Sequence, residues 1–156
     1  MLVDYSLYLI ADPNISDAKF LYRVEQAISG GVTLLQYRDK ESTPRNCYYT
    51  ALELQNICLK YSIPLIINDN IDLALVINAD GVHLGPTDFP IEKAIDVFEG
   101  QIILGTSINN LEDLTDKVIK KASYIGLGPF FKTDSKKNLR PYISISFAEK
   151  VRELFK

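Results

Sequence analysis

The stretch that decides the fold is residues 64–85, PLIINDNIDLALVINADGVHLG. The apolar run Pro64–Ile67 predicts a buried strand, and the segment Ile71–Ile77 predicts a short helix. Residues Gly81–Leu84 predict the next strand, directly before a turn. A strand, a helix and a second strand in so short a stretch favour a parallel pair joined by a helical crossover.

The same alternation extends through the rest of the chain. Further strands are predicted at residues 6–11, 33–37, 102–105 and 124–127. Further helices are predicted after Ser16 up to Gly30, and from the Thr43–Pro44 cap through Ile57. Three more are predicted from Pro90 to Gly100, from Asn110 to Lys121, and from a capping box of Ser146 and Glu149 to the end of the sequence. Six βα units predict an α/β fold with a parallel sheet, either doubly wound or a (β/α) barrel. Length alone favours the open sheet, because an eight-unit barrel usually needs about 200 residues or more.

Composition predicts one ordinary globular domain over residues 1–156. The chain has 17 basic and 20 acidic residues, a net charge of −3, which gives no electrostatic case for nucleic acid or an anionic membrane. It has no apolar run of about 20 residues, as a membrane span would need, and its first residues lack the basic region of a secretory signal peptide. A cytoplasmic protein is therefore expected. Cys47 and Cys58 fall eleven residues apart in one predicted helix, too far apart along its axis for a disulfide, and are expected to be reduced.

Polar side chains follow the second and third predicted strands. Successive side chains of an extended segment point to opposite faces, so Gln36, Arg38 and Lys40 are predicted to point the same way. An amide, a guanidinium and an ammonium on one side suit a pyrophosphate group, although a solvated strand end with surface salt bridges is the alternative. Asp69 follows the next strand and Asp88 the one after. Each alone is typical of a loop or a helix cap, but together with the basic cluster the two carboxylates favour a Mg²⁺ site that also uses substrate phosphates.

Small and hydroxyl residues follow the fifth and sixth strands, at Gly105-Thr106-Ser107 and in the loop 126–137. Glycines permit close approach of a ligand, and the hydroxyls with Lys136 or Lys137 suit a phosphate, although a flexible basic loop is the alternative. His83, the only histidine, lies within an apolar strand and is interpreted as a packed residue rather than a catalyst.

Taken in order, these clusters resemble the thiamine phosphate synthase family. The matching motifs are Gln36-Tyr37-Arg38-Asp39-Lys40, Asn68-Asp69, Asp80-Gly81-Val82-His83-Leu84-Gly85 with Asp88, Gly105-Thr106-Ser107, and Gly128-Pro129-Phe130-Phe131-x-Thr133-x-Ser135-Lys136. The resemblance implies a (β/α)₈ barrel that joins a pyrimidine carrying a diphosphate to a thiazole monophosphate, with Mg²⁺. It assigns the pyrimidine diphosphate to Gln36, Arg38, Lys40, Asn68, Ser107 and Lys136, the metal to Asp69 and Asp88, and the thiazole phosphate to Thr133 and Ser135.

Against that family the chain corresponds to about six of eight βα units. The resemblance therefore implies a barrel lacking its last two units, and we expect it to pair with another copy or to be poorly soluble, because two sheet edges would be open. A shortened barrel that binds the pyrimidine diphosphate and Mg²⁺ without turnover is the alternative function. A thiazole tautomerase is less favoured, since that sister family generally has a histidine where this chain has Pro129 and lacks the full metal pair.

Overall fold

A computed structural model describes residues 3–15, 18–99, 102–132 and 141–155, without the side chains of Ile15 and Lys117. The strands are β1 (Tyr8–Ala11), β2 (Leu34–Tyr37), β3 (Leu65–Asn68), β4 (Gly81–Leu84), β5 (Ile103–Ile108) and β6 (Tyr124–Leu127). The helices are α1 (Phe20–Ser29), α2 (Pro44–Tyr61), α3 (Ile71–Ile77), α4 (Ile91–Val97), α5 (Asp116–Lys121) and α6 (Ile145–Leu154), with 3₁₀ turns at Pro13–Ile15 and Leu111–Asp113. The chain divides into two compact units, Met1–His83 and Leu84–Lys156.

In the first unit the strands β1, β2, β3 and β4 pair in parallel and in chain order. Leu35 pairs with Leu65, and Ile66 pairs with Gly81. A doubly wound sheet reverses its strand order at a switch point, and these four strands do not. The α/β fold with parallel strands is therefore confirmed, and in this unit the strand order is that of a barrel.

The core of the first unit is formed by strand residues that are buried on both faces. Leu34, Leu35, Leu65 and Ile66 have no exposed surface, a continuous apolar pattern typical of parallel strands covered by helices. The side chains that helices α1 and α2 bury are Val24, Ile28, Cys47, Ala51, Leu54 and Cys58. Burial of these side chains removes apolar area from water and stabilises the unit.

Local signals account for the helix ends of the first unit. The Thr43 hydroxyl accepts a hydrogen bond from Asn46 N at 3.3 Å and Pro44 begins α2, as predicted. The Asn70 side chain accepts from Leu73 N at 2.8 Å at the start of α3, whose predicted bounds are confirmed. α1 begins later than predicted, at Phe20 with Lys19 in the N-cap position, and the predicted cap Ser16 lies outside the described residues.

Both cysteines lie on α2, buried and free, as predicted. Burial, with the charge of Asp80 as a smaller cause, raises the pKa of the Cys58 thiol to about 12. A thiol with so high a pKa carries almost no thiolate at neutral pH, so Cys58 is a packing residue.

In the second unit β5 and β6 pair in parallel, with Gly105 opposite Tyr124 and Ser107 opposite Gly126. β5 continues to Ile108, beyond the predicted end at Gly105. The predicted helix from Asn110 to Lys121 is divided in two. A capping box between Asn110 and Asp113 closes a 3₁₀ turn, and Thr115 then begins α5 by accepting from Val118 N at 3.3 Å.

Two other helix ends in the second unit differ from prediction. The prediction of a capping box at Ser146 and Glu149 is wrong. The N-cap residue is Ser144, which has an extended backbone and whose hydroxyl accepts from Phe147 N at 3.1 Å. Ser146 is therefore in the first turn of α6. α4 ends at Val97, and Gly100, its predicted end, lies outside the described residues. Among the described residues, none of the helices combines the length and the hydropathy that a membrane span needs.

Candidate functional site

The end of β2 places the three predicted side chains in different surroundings. Gln36 is buried, and its Nε2 donates to the Tyr8 hydroxyl of β1 at 2.6 Å. Arg38 and Lys40 follow the strand, where each forms an ion pair with a carboxylate at the end of a neighbouring strand. The two cations are thus at the carboxyl ends of parallel strands, where ligands of such folds bind.

Arg38 pairs with Asp12, directly after β1. Its Nη1 is 2.6 Å from Asp12 Oδ2, and the side chains are 22% and 9% exposed. Asp12 was not among the residues that the sequence pattern singled out. The signal available was its position, one residue after a short apolar strand and two before Asn14, whose backbone N–H donates to Asp12 Oδ1 at 2.9 Å.

Lys40 pairs with Asp69, directly after β3. Its Nζ is 2.8 Å from Asp69 Oδ2, and the side chains are 53% and 26% exposed. Asp69 has φ 62°, in the left-handed region, and its N–H donates to the carbonyl of His83 at 2.9 Å. Asn68, the last residue of β3, accepts from Asn70 N at 2.7 Å through its backbone carbonyl. The structure therefore brings a predicted phosphate ligand and a predicted metal ligand together.

Asp39 lies between the two cations in sequence and accepts hydrogen bonds through both of its carboxylate oxygens. Its Oδ2 accepts from the Tyr37 hydroxyl at 3.0 Å, and its Oδ1 accepts from Asn14 Nδ2 at 3.1 Å and from the N–H groups of Glu41 and Ser42. Partial burial opposes ionisation, but the hydrogen bonds from Ser42, Asn14 and Glu41 outweigh it and lower the pKa of Asp39 to about 2. Burial, and then the bond to Asp39, raises the pKa of the Tyr37 hydroxyl, so Tyr37 remains a neutral donor.

In the second unit, Asp88 closes the loop after β4. Its Oδ2 accepts from Gly85 N at 2.7 Å and its N–H donates to the Gly85 carbonyl at 3.1 Å. A Cβ at position 85 would be 2.8 Å from Asp88 Oδ2, so a larger residue there would displace the Asp88 carboxylate.

On β5, Thr106 is buried and donates to the Leu84 carbonyl at 2.9 Å, a structural bond, whereas the predicted ligand Ser107 is half-buried. Asn109 Nδ2 donates to the carbonyls of Gly128 and Pro141, at 3.1 and 2.7 Å. It thereby links the residue that follows β6 to the segment that precedes α6. The predicted ligands Thr133, Ser135 and Lys136 lie outside the described residues.

The donor chemistry fits a hard cation in part. Among the described residues, no group of three or more His, Cys, Asp or Glu side chains could hold a metal ion. Mg²⁺ does not need such a group, because one or two carboxylates with waters and substrate phosphates suffice. Asp69 and Asp88 carry carboxylates of the type that Mg²⁺ prefers, each in its own unit.

Comparison with known proteins gives the family. A family model described as thiamine monophosphate synthase matches residues 7–156. The chain belongs to the thiamine monophosphate synthase family. The resemblance inferred from the motifs is thereby confirmed.

Individual members of the thiamine monophosphate synthase family match over nearly all of the chain. Thiamine-phosphate synthase of Desulfitobacterium hafniense (strain DSM 10664 / DCB-2) is 40% identical over 153 residues, 97% of this chain and 74% of that protein. Its counterpart in Clostridium novyi (strain NT) is 41% identical over 154 residues, 98% of this chain and 76% of that protein. The solved thiamine phosphate pyrophosphorylase of Pyrococcus furiosus is 33% identical with a TM-score of 0.78, covering 94% of this chain and 69% of that one.

Proposed function

We propose that the chain is a transferase of thiamine biosynthesis, which condenses a pyrimidine carrying a diphosphate with thiazole phosphate to give thiamine phosphate and pyrophosphate. Family membership supports this function. The observation that carries it is the end of β2, where Arg38 and Lys40 lie among the strand ends of β1 and β3. Two cations of different geometry there match the charge of a diphosphate.

In the proposed reaction the C–O bond to the diphosphate breaks and a C–N bond to the thiazole forms. The electron pair leaves with the diphosphate, so the developing negative charge is what the protein must stabilise. Arg38 can bind two phosphate oxygens with its fork, and Lys40 adds a point charge. Bound Mg²⁺ would neutralise further leaving-group charge, and Asp69 and Asp88 are its proposed ligands.

The remaining site assignments are proposals of the same kind. We assign the pyrimidine diphosphate to Gln36, Arg38, Lys40, Asn68, Ser107 and Lys136, and the thiazole phosphate to Thr133 and Ser135. A (β/α)₈-type barrel of about six units in one domain, a cytoplasmic location and assembly with a second copy stay predictions. Sedimentation of the purified chain tests the last of these.

The experiment that tests the function measures thiamine phosphate and pyrophosphate formed by the purified chain with Mg²⁺ and both substrates. We expect both products in equal amounts. Binding of the pyrimidine diphosphate without product would instead favour the non-catalytic alternative.

Asp69→Asn tests the metal assignment. Asparagine tolerates the left-handed backbone at this position, so the fold should be retained. We expect the Mg²⁺ concentration for half-maximal rate to rise at least tenfold, roughly the loss seen when even an indirect metal partner is removed. Glu25→Gln is the matched control, because Glu25 also pairs with a lysine, Lys60, at 2.6 Å. An unchanged Mg²⁺ requirement in Asp69→Asn would show that Asp69 is not a ligand.

A further inference from the structure

Asp12, at the end of β1, carries a carboxylate that none of the proposed substrate or metal roles uses. Its side chain is 9% exposed, and its Oδ2 is 2.6 Å from Arg38 Nη1. A carboxylate so far removed from water is costly unless it is paired and hydrogen-bonded. The Arg38 guanidinium is the cation that pairs with it.

The second oxygen of Asp12 is occupied as well. Oδ1 accepts from the backbone N–H of Asn14 at 2.9 Å and from Asn14 Nδ2 at 3.0 Å. Asn14 Nδ2 also lies 3.1 Å from Asp39 Oδ1, which links the end of β1 to the segment after β2. The carboxylate therefore has both oxygens engaged and a fixed orientation.

We propose that Asp12 is a positioning residue, which orients the Arg38 guanidinium toward the diphosphate of the substrate; this inference rests on the proposed function. Arginine has five N–H donors, and the bond to Asp12 is made from Nη1, so other donors remain for phosphate oxygens. A flexible side chain loses rotamer freedom when it binds a ligand. Arg38 held by Asp12 has lost that freedom on folding, and so it binds the diphosphate more tightly.

The test uses inorganic pyrophosphate with Mg²⁺ as the probe, titrated calorimetrically into the full chain. In Asp12→Asn, the single amide oxygen can face Arg38 or the Asn14 donors but not both. We expect pyrophosphate affinity to fall about tenfold, the loss typical of one hydrogen bond to a charged group. Asp4→Asn is the matched control, because Asp4 Oδ1 accepts from Ser6 N at 2.8 Å in the same i to i+2 pattern. It should leave affinity within about twofold of the unchanged chain.

A double substitution separates positioning from a general structural role. If Asp12 acts through Arg38, adding Asp12→Asn to Arg38→Ala should cause no further loss of pyrophosphate affinity. In turnover, Asp12→Asn should raise KM for the pyrimidine diphosphate about tenfold, in line with that affinity loss, and leave KM for thiazole phosphate unchanged. Equal affinity in Asp12→Asn and the unchanged chain, or an equal loss in the Arg38→Ala background, would overturn the inference.

A second variant keeps the inference testable if Asp12→Asn does not fold. Asn14→Ala retains the Asp12–Arg38 pair and removes the side-chain donor that orients it, so affinity should fall about threefold, less than for loss of a charged partner. Unchanged affinity in that variant would count against positioning. Lack of pyrophosphate binding by the unchanged chain would overturn the inference, whereas binding without thiamine phosphate formation would overturn the proposed function alone.

Discussion

Two ion pairs extend from the end of β2, and they differ in burial and in connection. The Arg38–Asp12 pair is mostly buried and continues through Asn14 to Asp39. The Lys40–Asp69 pair is open, with Lys40 53% exposed. A buried pair is expensive to break, whereas an open pair exchanges its partner at little cost. One strand end thus provides a fixed cation and an exchangeable one.

Arg38→Ala should have the largest effect on stability. It leaves the Asp12 carboxylate largely buried without its cation. We expect the free energy of unfolding to fall by about 2 kcal/mol, below the range for a fully buried pair because Arg38 is 22% exposed. Urea unfolding followed by circular dichroism measures it. A loss as small as that of Lys60→Ala, which removes an open pair with Glu25, would mean that the two pairs at the end of β2 do not differ as described.

Asp39 should make a smaller contribution that depends on pH. Its pKa is about 2 in the folded chain, below the usual 3.8, so folding favours the ionised form. The stabilisation is complete above the usual value and is lost as pH falls from about 4 toward 2. We expect Asp39→Asn to cost under about 1 kcal/mol at neutral pH, because the carboxylate is partly exposed, and the difference from the unchanged chain to shrink in acid. A difference that is constant from neutral pH to pH 2 would contradict the assigned bonds.

Lys40→Ala should have the smallest effect on stability. We expect a change within about 0.5 kcal/mol, typical of an exposed ion pair. The same unfolding experiment measures it, beside Lys60→Ala. A loss as large as that of Arg38→Ala would show that Lys40 is a structural cation and would remove the contrast.

The parts of the fold that sequence predicted well are those with local causes. The bounds of α3 follow from an apolar segment between Asn70, whose side chain caps the helix, and Asn78, which adopts the left-handed conformation. The division before α5 was missed because Asn110 and Thr115 are both good caps, and a pattern of apolar residues does not show which one begins the helix.

The ion-pair and hydrogen-bond partners that belong to neighbouring strands could not be predicted from such local signals. Alternation along β2 indicated that Arg38 and Lys40 share a side, but the choice of Asp12 for one and Asp69 for the other depends on the register of three strands. Burial of Gln36 against Tyr8 has the same origin, because the Tyr8 hydroxyl belongs to the neighbouring strand. Residue type thus predicts which charged groups gather at the strand ends, and the sheet decides which of them form pairs.

Binding of a diphosphate at the end of β2 is tested most directly by the affinity of Lys40→Ala for pyrophosphate with Mg²⁺. Lys60→Ala is the control, because Lys60 is equally open, 63% exposed, and pairs with Glu25 at 2.6 Å on the helices. We predict about a tenfold loss of affinity in Lys40→Ala, as for a charge-assisted contact, and none in Lys60→Ala. Equal affinities in the two variants would contradict the account.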